Sequence, residues 1–130
     1  MKKRYPSAVL LTAALMLAPS VQAGNAVDEL LARYQAEGAQ TTDAVRGEHL
    51  WKTPQGERSC QTCHGKDLTR PGSHQRTGKA IKPMAPSVNP ERLMQTRKIE
   101  KWFLRNCKWT FGRECSAQEK ADILVFLKKQ

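Results

Sequence analysis

Five consecutive residues, Cys60-Gln61-Thr62-Cys63-His64, carry the most specific chemistry in this 130-residue chain. C-x-x-C-H is the attachment site of c-type haem. Each thiol adds across one haem vinyl group to give a thioether. The two-residue spacing lets both sulfurs reach the same porphyrin edge, and His64 then sits beneath the ring as proximal iron ligand. The motif assigns Cys60, Cys63 and His64 to one covalent haem c and its iron.

Cys107 and Cys115 remain, with seven residues between them. In an exported chain the expected outcome is a disulfide, closing a loop short enough to contribute roughly 2–3 kcal/mol by chain entropy. A four-thiolate zinc site would leave His64 without a role and would draw on two distant pairs. A thioredoxin-like reading of C-x-x-C needs alternating strands, and none flank Cys60.

What the haem does turns on the iron's sixth position. Met84, in Lys82-Pro83-Met84-Ala85-Pro86, has the proline-flanked setting of an electron carrier's methionine loop. It follows His64 by only 20 residues, with another helix still to come before the last one. Methionine in a small core is also commonly filler. Asn106 finishes the stripe Ile99, Trp102, Phe103, Asn106 at i, i+3, i+4, i+7. A buried amide without a partner costs about 1–3 kcal/mol, so it should bind something. The plainer alternative is that Asn106 simply ends its helix, where Asn is common. His49, beside Trp51, and His74, in Pro71-Gly72-Ser73-His74, are the other donors. Bis-histidine ligation would give a low-potential carrier with no open site. On the residues alone the choice stays open.

These groups need helices to hold them. Asn25 is the expected cap of a first helix through Val27, Leu30, Leu31 and Tyr34, stopped by Gly38. Thr41 or Thr42 should cap a second, in which Gly47 lies one turn before Trp51. Asn89-Pro90-Glu91 reads as the opening of a short turn to Met94. Thr96 should cap a helix from Arg97 to about Asn106. Ser116-Ala117-Gln118-Glu119 is a capping box for a last helix carrying Ile123, Leu124, Phe126 and Leu127. Phe126 or Leu127 is expected near Gly47 and Trp51. The polar run from Lys66 to Ser87 should be loop, and no segment reads as strand.

Lys2, Lys3 and Arg4, the apolar run Ala8 to Ala18 and Val21-Gln22-Ala23 read as a cleavable export leader over residues 1–23. The mature domain is 24–130, expected in the periplasm. There 19 basic residues face 12 acidic ones, a net charge of +7. No other stretch is apolar enough to span a membrane. Arg58, Lys66, Arg70, Arg76, Lys79 and Lys82 surround the haem motif and its loop. They read as a solvated surface or as an electropositive rim steering an acidic redox partner. The compartment argues against nucleic acid.

The run Met84-Ala85-Pro86-Ser87-Val88-Asn89-Pro90-Glu91-Arg92, then Lys98-Ile99-Glu100-Lys101-Trp102-Phe103, Arg105-Asn106-Cys107-Lys108-Trp109 and Gly112-Arg113-Glu114-Cys115, resembles the sphaeroides haem protein (SHP) family. The resemblance covers roughly Ala44 to the C-terminus. It implies a small periplasmic c-type cytochrome in which an asparagine binds ferric iron and leaves on reduction, so that ferrous haem takes oxygen, nitric oxide or carbon monoxide. Carried over, the asparagine is Asn106, the proximal ligand His64 and the disulfide Cys107–Cys115. The implied electron donors are a dihaem cytochrome c and a membrane cytochrome b.

The expected fold is all-α, a class I-like monohaem cytochrome c with a C-terminal disulfide loop. The expected function is haem-iron electron transfer with a redox-labile Asn106. An ordinary carrier with Met84 on iron is the first alternative. A haem oxidase or nitric oxide-consuming enzyme is the second, although no acid, base or nucleophile constellation is evident and any catalysis would come from the haem. A chain this small buries little apolar surface, and Trp51, Leu68, Ile81, Ile99, Trp102 and Phe103 are expected to pack around the cofactor. The apo-protein should therefore be largely unstructured. Far-UV circular dichroism of a Cys60→Ala, Cys63→Ala variant should show little helix, and native helix content there would overturn this.

Overall fold

The apolar spacing expected in the first segment builds α1 (Gly24–Ala36), in a computed structural model that describes residues 24–130. The expected leader, 1–23, lies outside the described residues, as does the side chain of Asn25. The other helices are α2 (Ala44–Lys52), α3 (Cys60–His64), α4 (Thr96–Phe111) and α5 (Ala117–Lys128). Val27, Leu30 and Tyr34 of α1 bury their face against Ala121 and Leu124 of α5. Gly38, at φ 102°, then turns the chain.

The cap of α2 is Asp43, not Thr41 or Thr42: its carboxylate accepts from the Val45 amide at 2.8 Å. A carboxylate satisfies the first-turn donors better than the hydroxyls one and two residues earlier. Thr41 instead offers its carbonyl to Arg46 at 2.7 Å. α2 crosses α5 at Gly47, where a Cβ would lie 2.0 Å from the Asp122 carbonyl oxygen. Asp122 locks the crossing. Its buried carboxylate accepts from the Asp43 amide (2.7 Å), from both Arg46 Nε and Nη2 (2.9 and 3.0 Å) and from Gln118 (3.0 Å). Both carboxylate oxygens are thereby hydrogen-bonded, Oδ1 three times and Oδ2 once. Beyond Gly47, Trp51 meets Phe126 at 6.2 Å between ring centroids, with Leu127 in the same cluster, as expected.

α5 starts at the expected capping box, Ser116 with Glu119, and Arg113 clamps the same carboxylate through both nitrogens at 2.8 and 2.7 Å. α4 departs from expectation. It begins at Thr96 behind Gln95 and continues five residues past Asn106 to Phe111. Nothing between Cys107 and Phe111 breaks a helix, and Gly112 in the left-handed region (φ 69°) is the first residue that does. Thr96 does not cap; its hydroxyl donates to Glu29 on α1. Asn89 caps no helix either: its side chain donates to the Pro83 carbonyl at 2.9 Å, and a plain turn follows. The 66–87 loop is interrupted by a two-strand antiparallel hairpin, β1 (Gly72–Ser73) with β2 (Ala80–Ile81).

Cys107 of α4 is bonded to Cys115 just before α5, with Cα atoms 5.6 Å apart. Tyr34 of α1 and Lys120 of α5 both bond to Glu100 of α4, tying the three helices at their far side. Among the described residues no helix is long and apolar enough to cross a membrane.

Gly47→Ala should force α2 and α5 apart. The expected loss is about 2 kcal/mol of holoprotein stability, the usual scale of overpacking, read as a lower urea midpoint at unchanged slope.

Candidate haem-binding site

A five-residue helix forms at the motif because Ser59 caps it. The Ser59 hydroxyl accepts from the Thr62 amide (3.2 Å) while the Ser59 amide donates to Thr62 Oγ1 (2.9 Å), a reciprocal box. Helical spacing then puts Cys60, Cys63 and His64, at i, i+3 and i+4, on one face. Gly65, at φ 77°, ends the turn. The β1–β2 hairpin lies directly on this helix: a Cβ on Gly72 would sit 2.2 Å from the Cys63 carbonyl oxygen, and the Gln75 amide stands 3.5 Å from Cys63 Sγ.

His64 packs against Trp51, ring centroids 5.1 Å apart. Burial, reinforced by the Arg92 charge, pushes the imidazole pKa down to about 4. At neutral pH the ring is uncharged and keeps a lone pair for a metal. Its buried Nδ1 has no hydrogen-bond partner, and no hydrogen bond among the described residues engages Nε2. Cys60 and Cys63 are both free thiols. Burial pushes the Cys60 thiol up to about 11, with the Thr110 hydroxyl opposing. Two thiols and an unengaged neutral imidazole on one helix face are the donor set that covalent haem needs. The disulfide between the other two cysteines removes the four-thiolate zinc alternative.

The contact between Cys60 and Thr110 also orients α4. Asn106 precedes Thr110 by one turn, and Phe103 precedes Asn106 by three residues, so all three share the helix face that turns toward α3. Arg58 reinforces this docking: it donates to the Trp109 carbonyl at 3.1 Å and stacks 4.9 Å from that ring's centroid. Asn106 is half-buried, lies inside α4 rather than at its end, and its side chain makes no hydrogen bond among the described residues. The helix-terminating role is therefore gone.

The other sixth-position candidates are placed differently. Met84 packs, partly buried, against the Trp51–Leu68–Phe126 cluster, and its amide donates to the Leu68 carbonyl at 3.0 Å. His49 is exposed on α2 beside the Thr53 hydroxyl at 3.3 Å. His74 accepts from the Thr77 amide at 3.3 Å in the exposed hairpin turn. Of the residues expected around the haem, Trp51 and Leu68 are buried, and Phe103 bridges the two hydrophobic clusters. Ile81 is half-buried, and Ile99 packs with α1 and α5. Trp102 is 45% exposed, with Arg105 over its ring.

Of the six basic residues around the motif, Arg58 is spent on Trp109, Arg70 pairs with Asp67 (3.3 Å) and Lys82 with Glu91 (3.5 Å). Lys66, Arg76 and Lys79 have no ion pair among the described residues. The Ser59–Thr62 box was overlooked in the sequence, although S-x-x-T has capping-box spacing. The Trp51–His64 contact, Thr110 and Arg92 had no local signal at all.

Known proteins bear on this geometry. The profile of a domain of unknown function (DUF1924) matches residues 37–127. The chain is 40% identical over 126 residues to the cytochrome c-type protein SHP of Cereibacter sphaeroides, covering 93% of this chain and 97% of that one. It is 38% identical over 78 residues to cytochrome c'' of Methylophilus methylotrophus, 59% of this chain and 54% of that protein. Among solved structures, oxidised SHP, described as an oxygen-binding cytochrome c, superposes with a TM-score of 0.74 at 42% identity, over 80% of this chain and 96% of that one. Oxidised cytochrome c'' gives 0.68 at 29% identity, over 82% and 95%. A solution structure of the same cytochrome c'', solved to explain haem-ligand detachment, gives 0.67 at 30% identity, over 84% and 96%.

Replacing Cys107 and Cys115 together by Ser should lower stability by about 2–3 kcal/mol, the chain entropy of the freed loop. Urea unfolding of the two holoproteins without reductant measures it.

Proposed function

Because this chain belongs to the SHP family of c-type cytochromes, we propose that it is a periplasmic monohaem protein whose Asn106 binds ferric iron and withdraws on reduction. The fold is all-α and class I-like, with the C-terminal disulfide loop in place. Bound haem supplies one-electron chemistry and, when reduced and five-coordinate, an open position for a diatomic ligand.

The chain's own residues do the rest. Cys60 and Cys63 would hold the haem, each adding its S–H across a vinyl group, and His64 would offer Nε2 to the iron. The observation that carries the reading is the position of Asn106. Its unpartnered amide sits one turn from Thr110, which touches Cys60, and next to Cys107, whose disulfide anchors that stretch of α4. A carboxamide oxygen is a weak, hard donor. It satisfies Fe(III) and competes poorly for the softer Fe(II), and axial-ligand identity is the lever that selects ligand binding over simple electron transfer. Once released, the amide N–H would donate a hydrogen bond to a diatomic ligand held in the pocket. Met84, packed on the Trp51 side and tied through its backbone to Leu68, is core filler in this account. Export through the 1–23 leader delivers the chain to the compartment where haem c is attached. The donors implied by the family resemblance, a dihaem cytochrome c and a membrane cytochrome b, belong to the same reading.

Optical spectra with and without carbon monoxide test this. The reduced protein should be five-coordinate and high-spin, and its spectrum should shift on adding carbon monoxide. Met84→Ala should leave both oxidation states unchanged, while Asn106→Ala should alter the ferric spectrum alone. A sharp low-spin ferrous spectrum indifferent to carbon monoxide would place Met84 on the iron instead.

A further inference from the structure

Between α2, α3 and the end of α5 the surface holds a cleft of about 230 Å3. Its apolar lining is Ala44, Val45, Trp51, Leu68 and Phe126. Val45 stands 73% exposed, the most exposed large apolar side chain among the described residues. Three lysines border the cleft: Lys52, Lys66 and Lys129. Lys52 is compensated by Glu48 at 2.5 Å, while Lys66 and Lys129 are exposed and have no ion pair among the described residues.

The same cleft is joined to His64 through one side chain, Trp51. Trp51 forms part of its lining and meets the imidazole of His64 at a tilt of 38°, with ring centroids 5.1 Å apart. An aromatic ring in contact with an axial ligand shortens the distance an electron must tunnel from a partner seated there. The rim's positive charge selects an anionic surface and steers its approach, and an exposed apolar side chain amid the charges supplies the contact that holds it. Of the six basic residues around the haem motif, the other two without an ion pair among the described residues, Arg76 and Lys79, lie at the β1–β2 hairpin, outside the cleft lining.

We propose that the α2–α3–α5 cleft is the docking face for an acidic one-electron donor protein that inserts an apolar side chain beside Val45 and delivers its electron by way of Trp51 and His64. The donor is oxidised by one electron and the iron goes from ferric to ferrous. This rests on the haem c reading above.

Flavodoxin, a small acidic one-electron protein, serves as probe for the exported holoprotein. Oxidised flavodoxin, titrated calorimetrically, reports docking without any turnover; its reduced form in stopped flow reports the second-order reduction rate. Val45→Glu and the pair Lys66→Glu, Lys129→Ala should each weaken binding and slow reduction at least fivefold, with haem content and midpoint potential unchanged. Arg76→Glu with Lys79→Glu should change either by less than twofold. The opposite ranking, equal effects of all variants, or no saturable binding by the wild type would overturn the docking face. A wild-type protein that carries no thioether haem by its pyridine haemochrome spectrum would instead defeat the reading beneath it.

Discussion

The crossing of α2 over α5 governs everything downstream. Gly47 has no room for a Cβ against the Asp122 carbonyl, so the two helices meet backbone to backbone. The Asp122 side chain then collects Asp43, Arg46 and Gln118 around one buried carboxylate. A carboxylate removed from water costs several kcal/mol unless its oxygens are answered, and here they are. That pair of constraints sets the rotation of α2, and Trp51, one turn beyond Gly47, is delivered against Phe126 on one side and His64 on the other. The placement of His64 and the helix crossing are thus one construction.

A second constraint holds the opposite wall. α4 is pinned at three places by contacts of unlike kind: Glu100 to Tyr34 and Lys120, Cys107 to Cys115, and Thr110 with Trp109 to the start of the haem motif. Asn106 lies between the first two, immediately before Cys107. The weak iron ligand proposed for Asn106 would benefit from this arrangement. The backbone is anchored on both sides, while the half-buried Asn106 side chain makes no hydrogen bond among the described residues. Rigid support with one loose amide is what a redox-labile contact requires, and a methionine packed into the core at Met84 lacks that freedom.

Much of this was legible in the chain because the signals were local. The C-x-x-C-H pentapeptide, the Ser116–Glu119 box, the stripe on α1 and the pairing of Cys107 with Cys115 each follow from residues a few positions apart. The errors share a cause. The end of α4 was placed at Asn106 because asparagine is a common stop, yet Cys107 to Phe111 contain no breaker and tertiary anchoring carried the helix on to Gly112. The α2 cap was assigned to a threonine because Asp43 earns its place through Asp122 and Arg46, partners that are remote in sequence or hidden from local spacing. The hairpin at Gly72 and Ile81 escaped notice because it is two residues long per strand and owes its position to close approach against Cys63. Long-range contacts such as Trp51 with His64, and Thr110 with Cys60, leave no periodic trace.

The account comes down to the atom facing iron across from His64 in the oxidised protein. A crystal structure of the ferric holoprotein decides it directly. Continuous density from the Asn106 side chain to the metal, lost when the same crystal is reduced, is the result this account predicts. Sulfur from Met84, a ring nitrogen of His49 or His74, or a bare water in that position would contradict it.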